Sequence, residues 1–381
     1  MSHDLQICDR NSIDSFLWPD EVAPFRPLLT DLVSNPVEEY FANCNTEFKL
    51  CRLGEYVLPI TINNEEYENC YVCSPYAGAI SYPLYELHEI DNRALRGGLA
   101  GLVHSIAPIL RSACINRVVC VNNWMLSTNL YPHWNGEGLA DLTRELIARY
   151  PTHAILFRSL NEATNQSLCD QFRRSGYLMA PSRQVYMFDD PESKYLRRNN
   201  CKWDLRLLTQ RTDYETIMPN QIGSDCDSRI KRLYDMLYLE KYTPLNPHFT
   251  ERLIQQWRES NAFRLYGLRS PQGTLDGIAG CFERGGVMTT PLVGYDTSLP
   301  RELGLYRMLI TIVLQEAAKR QISLNLSSGA SGFKRLRGAE PYIEYTAIYC
   351  EHLSRYRRMI WKTLSGLLTH VGARVLRELK L

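Results

Sequence analysis

Between Phe263 and Tyr349 the chain spells three extended runs, one long helix, a short extended run, a short helix and a last extended run. This order restricts the fold more than any single residue does. Phe263–Leu268 ends at the turn Ser270–Gly273, and Leu275–Glu283 closes on Arg284-Gly285-Gly286 before Val287–Tyr295 resumes, which predicts two hairpin connections. Leu303–Lys319 follows as a helix with Leu305, Met308, Leu309, Ile312 and Val313 along one side. Ile322–Leu326 then alternates as a strand, Gly329–Arg337 is loop and short helix, and Tyr342–Tyr349 is the closing strand. Upstream, Ile230, Leu233, Met236, Leu237 and Leu239 put a helix at Arg229–Glu240. Pro244 and Pro247 break it, and Thr250 is placed to cap a second helix running to Glu259. Hairpins followed by a helical crossover predict a mixed sheet flanked by helices.

The first half ends in the same way. Arg117–Asn122 is strand-like, Leu139–Arg149 helical, Ala154–Phe157 a strand, Asn165–Ser175 a helix and Gln184–Phe188 a strand. Gly138 falls on Gly304, at an offset of roughly 160–165 residues that means duplicated domains and not a solenoid. A chain of 381 residues has room for two such cores. The polar connector Pro191–Lys202 sets the expected boundaries: an α/β (α+β) domain at 1–195, a second at 196–354, and a basic amphipathic helix at 355–381.

A net charge of +1 excludes a global field for an anionic partner, and no DNA partner is expected. From Lys334 onward, however, ten Lys and Arg face four Glu. That segment is either a solvated helix face or a contact for a phosphate-rich ligand. No signal-like N-terminus and no run of ~18 apolar residues is present, so a cytoplasmic protein without a membrane span is expected. The 12 Cys are read as reduced thiols; Cys70 and Cys73, in the strand-like run Tyr67–Tyr82, lack the second close pair that a zinc site wants, and no metal is expected.

Several stretches carry a resemblance: Arg173–Tyr177, Pro181–Tyr186, Lys241-Tyr242 with Asn246-Pro247, and above all Ser328–Lys334 followed by Arg337-Gly338 and Glu344-Tyr345. With the order of elements, they resemble tandem-GNAT acyltransferases of the FemAB-like type over roughly residues 50–370. The resemblance implies two consecutive GNAT-like domains, each a mixed sheet flanked by helices. It also implies transfer of an acyl or aminoacyl group to an amine acceptor, small or peptidyl. The co-substrate would be acyl-CoA or aminoacyl-tRNA, which makes tRNA a possible partner, and no cofactor is needed. A non-catalytic module holding a nucleotide-bearing ligand or tRNA is the other reading.

The family's phosphate loop has the pattern [QR]-x-x-G-x-[GA] at the head of the helix after the third strand. Here that place holds Arg301, Gly304 and Tyr306, with Tyr306 where the pattern has a small residue. A helix start offers unpaired N–H groups and a partial positive charge of ~0.5 e. The first-half loop has Glu137 beside Gly138, so that half is expected to be idle and to wall the cleft. Acyl transfer to an amine needs a base, oxyanion stabilisation and protonation of the leaving group. Glu283 and Glu344 are the candidate bases, Tyr345 and Tyr295 the candidate acids. Lys334 and Arg337, three residues apart, are candidates for a donor phosphate or the oxyanion.

Overall fold

The computed structural model describes residues 4–260 and 263–372, and its centre is a 12-stranded sheet. The first half of the chain supplies β1 (Leu5–Cys8), β2 (Glu47–Leu53), β3 (Tyr56–Asn63), β4 (Val118–Val121), β5 (Ala154–Asn161) and β6 (Leu178–Phe188). The second supplies β7 (Glu215–Ile217), β8 (Phe263–Arg269), β9 (Leu275–Arg284), β10 (Val287–Tyr295), β11 (Ser323–Asn325) and β12 (Glu340–Tyr349). The strands lie in the order β1-β2-β3-β4-β5-β12-β6-β11-β10-β9-β8-β7. This order is a palindrome. The pairings repeat it too, with parallel contacts only at β4/β5 and β10/β11.

The halves exchange their last strands. β12 sits between β5 and β6, while β6 joins the second half through β11. Helices cover the sheet: α1 (Arg26–Ser34), α2 (Tyr82–Glu86), α3 (Arg93–Ser112), α4 (Leu139–Arg149) and α5 (Gln166–Arg174), then α6 (Asn199–Gln210), α7 (Asp227–Tyr234), α8 (Glu251–Glu259), α9 (Leu305–Arg320), α10 (Ser331–Leu336) and α11 (Arg355–Leu367). Gly138 and Gly304, 166 residues apart, precede α4 and α9, both left-handed at φ +74° and +70°. The duplication expected from the sequence is therefore present in backbone detail.

Several local expectations change. Tyr67–Tyr82 is not a strand; it turns helical from Pro75 and widens to a π-helical turn at Ala77, whose N–H is accepted by Ser74 Oγ. The helix expected over Arg229–Glu240 widens into a π-helical turn over Asp235–Tyr242. The connector 191–202 already contains the start of α6. α11, an amphipathic helix whose apolar face was expected to pack back on the second domain, instead docks mainly on the first half through buried Trp361, and the part of 355–381 beyond 372 lies outside the described residues.

An aromatic chain ties the halves into one core. Trp257 stacks on Phe263 at 4.5 Å, Phe263 on Phe282 at 5.0 Å, and Phe282 meets Trp124 of the first half at 5.2 Å. Arg284 lies over Trp124 at 5.0 Å and reaches Glu21, Asn122 Oδ1 and Val57 O. Such contacts combine apolar burial with quadrupole attraction.

Two outcomes follow from this topology. Expressed alone, residues 1–195 would leave β5 and β6 without the strand between them, and unpaired edges invite aggregation. That fragment is expected to be insoluble, and co-expression with 196–381 to recover one soluble complex on size exclusion; a monodisperse, folded 1–195 fragment would contradict the exchange. The second concerns His153, 8% exposed, with Nε2 3.1 Å from Asn64 Oδ1. Burial, then the Arg117 and Arg357 charges, lower its pKa from 6.5 to about 4. The unfolded chain binds the extra proton first, so this contribution is complete above pH 6.5 and fades as pH falls toward 4, by about 3 kcal/mol in all. Urea midpoints measured across that window should show a smaller pH slope in His153→Gln than in the parent.

Candidate active site

Parallel strands β10 and β11 touch only at their beginnings, Val287–Thr289 against Ser323–Asn325. β10 then runs six residues further to Tyr295, about 20 Å of strand. Its register against β9 slips between Thr289 and Leu292, where Pro291 has no N–H to give a neighbour. The chain leaving β11 turns the other way: Leu326 N–H donates to Tyr186 O, and Tyr186 N–H to Ser327 O. The two strands thus open as a V, and the head of α9 stands beside the opening.

That head lines a cleft of about 490 Å³ with Lys241, Tyr295, Arg301, Gly304, Tyr306 and Arg307 among its walls. No side chain caps α9, and the N–H groups of Leu305, Tyr306 and Arg307 have no acceptor among the described residues. Gly304 sits at φ +70°, in the left-handed region that favours glycine, and is crowded by α6. A Cβ there would sit 2.6 Å from Leu207 Cδ2 of α6, so its bare side faces protein while the free amides of the next turn face the cleft. Arg301 is exposed and makes no ion pair among the described residues. Tyr306 turns onto Phe333 at 4.9 Å and Tyr295 at 6.3 Å, forming a wall.

A line of phenols leads inward. Tyr306 lies in the electrostatic reach of Tyr238 and Tyr242, and Tyr238 in that of Tyr71 and Arg183. Tyr71 meets Tyr82 at 5.3 Å, and both lie near Arg183. The hydroxyls of Tyr71, Tyr82, Tyr238 and Tyr306 have no hydrogen-bond partner among the described residues. Burial pushes all four above the ordinary phenol range, so they are protonated donors at neutral pH. At the inner end Glu344 (side chain 4% exposed) is held by Arg183: Nε to Oε1 at 2.8 Å, Nη2 to Oε2 at 3.1 Å. Arg183 also donates to Ser127 O and Thr128 Oγ1. Strand exchange builds this pair, since Arg183 comes from β6 and Glu344 from β12. The tyrosines come from three distant chain segments, and only the count of 23 Tyr hinted at them.

Residues 232–342, from α7 into β12, match the family described as acetyltransferase (GNAT) domain. The match spans 111 of the 381 residues and lies wholly in the second half of the chain. Solved structures similar to the chain include L-PGS from Bacillus licheniformis (14% identity, 60% of this chain and 76% of that one, TM-score 0.42). FemX is similar too (8% identity, 60% and 78%, TM-score 0.45), as is a tandem GNAT protein from the clavulanic acid biosynthesis pathway (11% identity, 91% and 98%, TM-score 0.39). No curated protein sequence matches it. No helix among the described residues is long and apolar enough to cross a membrane.

Within this fold the predicted site residues separate. Arg301, Gly304 and Tyr306 share the cleft. Glu344 stands at the inner end of the tyrosine line, whereas Tyr345 packs on the first-half core around Phe157 and Phe172, away from Glu344. Glu283 is paired in register with Met288, at the end of β10 remote from the cleft, and is bound by Arg264 at 2.6 Å and Arg320 at 3.4 Å; it does not face the opening. Lys334 and Arg337 are corrected as well, because neither presents a free charge. Lys334, 3% exposed, donates to Leu326 O, Ser327 O and Ser328 O at 2.6, 3.3 and 2.7 Å, fixing the chain where it leaves β11. Burial, then the Arg183 charge, push its pKa to about 7; the three carbonyls favour the ammonium and oppose that push. Arg337 lies over Phe333 at 3.4 Å, and its Nε meets Asp204 Oδ2 at 2.6 Å. Asp204 also takes Arg307 Nε at 2.6 Å, so α6, α9 and the end of α10 share one carboxylate.

Cys70 and Cys73 are free, buried thiols bonded to Leu245 O and Asn69 Oδ1. Among the described residues no group of three or more His, Cys, Asp or Glu is set to hold a metal ion. Removing Asp204 would leave Arg337 buried without its partner. Asp204→Ala is expected to cost about 3–5 kcal/mol, read as a fall in the denaturant midpoint, whereas Arg301→Ala, at an exposed unpaired site, should stay within about 0.5 kcal/mol of the parent.

Proposed function

We propose that the protein is an N-acyltransferase that takes acyl-CoA in the cleft beside Gly304 and passes the acyl group to an amine within the tyrosine-lined interior. The observation that carries this is the uncapped head of α9 at the mouth of the β10/β11 opening. Three unbonded N–H groups and the free Arg301 cation suit a pyrophosphate, and the parting strands leave a path for the thioester arm. Lys334 and Arg337, which a tRNA acceptor stem would have needed, are already committed to protein partners, and this favours CoA over aminoacyl-tRNA.

In the transfer, the amine nitrogen attacks the thioester carbonyl and the carbonyl oxygen takes up negative charge. As that oxyanion collapses, the C–S bond breaks, the sulfur receives a proton, and an amide and free CoA leave. Phenols held protonated by burial are donors for the oxyanion, with Tyr238 placed between the cleft and Arg183. Glu344, fixed by Arg183 at the inner end of that line, orients or deprotonates the amine.

The test is mass spectrometry of an amine panel incubated with acetyl-CoA and longer acyl-CoAs, with free CoA measured alongside. Arg301→Glu should raise KM for the donor about tenfold, while Tyr238→Phe should lower kcat by about 100-fold with KM little changed. Consumption of aminoacyl-tRNA with acyl-CoA untouched would overturn the choice of donor.

A further inference from the structure

The first half has its own pocket, of about 340 Å³, and it is not a copy of the donor cleft. Gly138 and the first turn of α4, the counterparts of Gly304 and α9, take no part in its walls. The loop before α4 folds on itself there: Tyr131 and Trp134 are buried, and Trp134 Nε1 donates to Glu137 O. The pocket opens instead on the head of α5, a nine-residue helix. Asn165 gives it no side-chain cap, and the N–H groups of Gln166, Ser167 and Leu168 have no acceptor among the described residues.

Two asparagines supply independent evidence that something is bound there. Asn161 is 2% exposed and Asn325 1% exposed, and both line the pocket, one from each half of the chain. Their orientation is fixed. Asn161 Oδ1 accepts from Thr164 N at 3.0 Å and Thr164 Oγ1 at 3.2 Å; Asn325 Oδ1 accepts from Ser327 N at 2.8 Å. A backbone N–H can only donate, so the oxygens are identified and the NH₂ groups are the ends left over. Neither NH₂ has a partner among the described residues. Neither NH₂ is sealed off from the pocket, so each aims a free donor into it, and two such donors on one wall suit an acceptor. No Asp, Glu, Lys or Arg lines the pocket.

We infer that this pocket, lined by Asn161, Asn325 and the head of α5, binds a small molecule through its carboxylate. The walls present N–H donors and a helix start, which together match one negative charge. Apart from His133 the lining has no side chain able to carry positive charge, whereas a phosphate dianion ordinarily takes Arg or Lys. The site shares no residue with the donor cleft. Thr128, which borders it, accepts from Arg183, so the pocket adjoins the Arg183–Glu344 pair from the first-half side.

The probe is N-acetylglycine, titrated into ¹⁵N-labelled full-length protein, with its neutral amide and inorganic phosphate as parallel arms. The side-chain NH₂ signals of Asn161 and Asn325 are expected to shift with N-acetylglycine and not with the amide. Asn161→Asp and Asn325→Asp keep the acceptor oxygen that each backbone N–H needs, so the fold should persist, while a carboxylate replaces each donor. Each is expected to weaken N-acetylglycine by about tenfold or more, with acetyl-CoA binding unchanged in the same samples. Equal binding of the neutral amide, tighter binding of phosphate, or affinities indifferent to both substitutions would overturn the inference. Loss of acetyl-CoA binding in the unmodified protein, with N-acetylglycine still bound, would instead count against the donor cleft and leave this pocket standing.

Discussion

β6 and β12 each finish the other half's sheet, and the hydrogen bonds between them make the seam on which the rest of the molecule is arranged. Because both strands come from chain ends of their halves, the seam carries side chains from both: Arg183 from one and Glu344 from the other. The two parallel pairings, β4/β5 and β10/β11, lie on either side of this seam. A buried ion pair is weak evidence for stability on its own. Here both carboxylate oxygens are bonded, and the arginine also meets Ser127 and Thr128 of the first half, so the pair fixes the relation between the halves.

The symmetry of the backbone is not matched by the side chains. In the second half the head of α9 is bare, Arg301 is free, and the cleft reaches about 490 Å³. In the first half the chain after β4 crosses back over the sheet, with Asn123 N bonded to Pro59 O and Asn129 N to Ser159 Oγ, and what stays open is smaller and without charged side chains. Duplication supplied two similar frames. Local sequence then made the two frames different in lining: one keeps a free arginine at a bare helix head, the other only neutral amides and hydroxyls, a histidine and apolar groups.

Much of the frame was legible in the sequence because it rests on local rules. Periodicity located α4, α9 and the strands β8 to β10, and two glycines before two helices marked the repeat. The strand exchange was not legible, since nothing in β12 distinguishes a neighbour in its own half from one in the other. The site was read in part. A glycine at a helix start pointed to the cleft, but its closest neighbour, Leu207, lies on α6, a helix that the sequence pattern did not place and whose first turn reads as a linker. Lys334 and Arg337 looked like available cations because their partners, three carbonyls and Asp204, are brought to them only by tertiary contact. The tyrosine line failed to appear for the same reason: Tyr71, Tyr238 and Tyr306 have no spacing in common.

The exchange also has a consequence in time. A ribosome making this chain finishes β6 at Phe188 but does not finish β12 until Tyr349, 161 residues later. At ~5–20 residues per second that interval is about 8–30 s. Throughout it the nascent first half holds an open slot where its central strand belongs, and no amount of local folding can close it. The first half is therefore completed only once the second has been made, so the two halves reach their final form together.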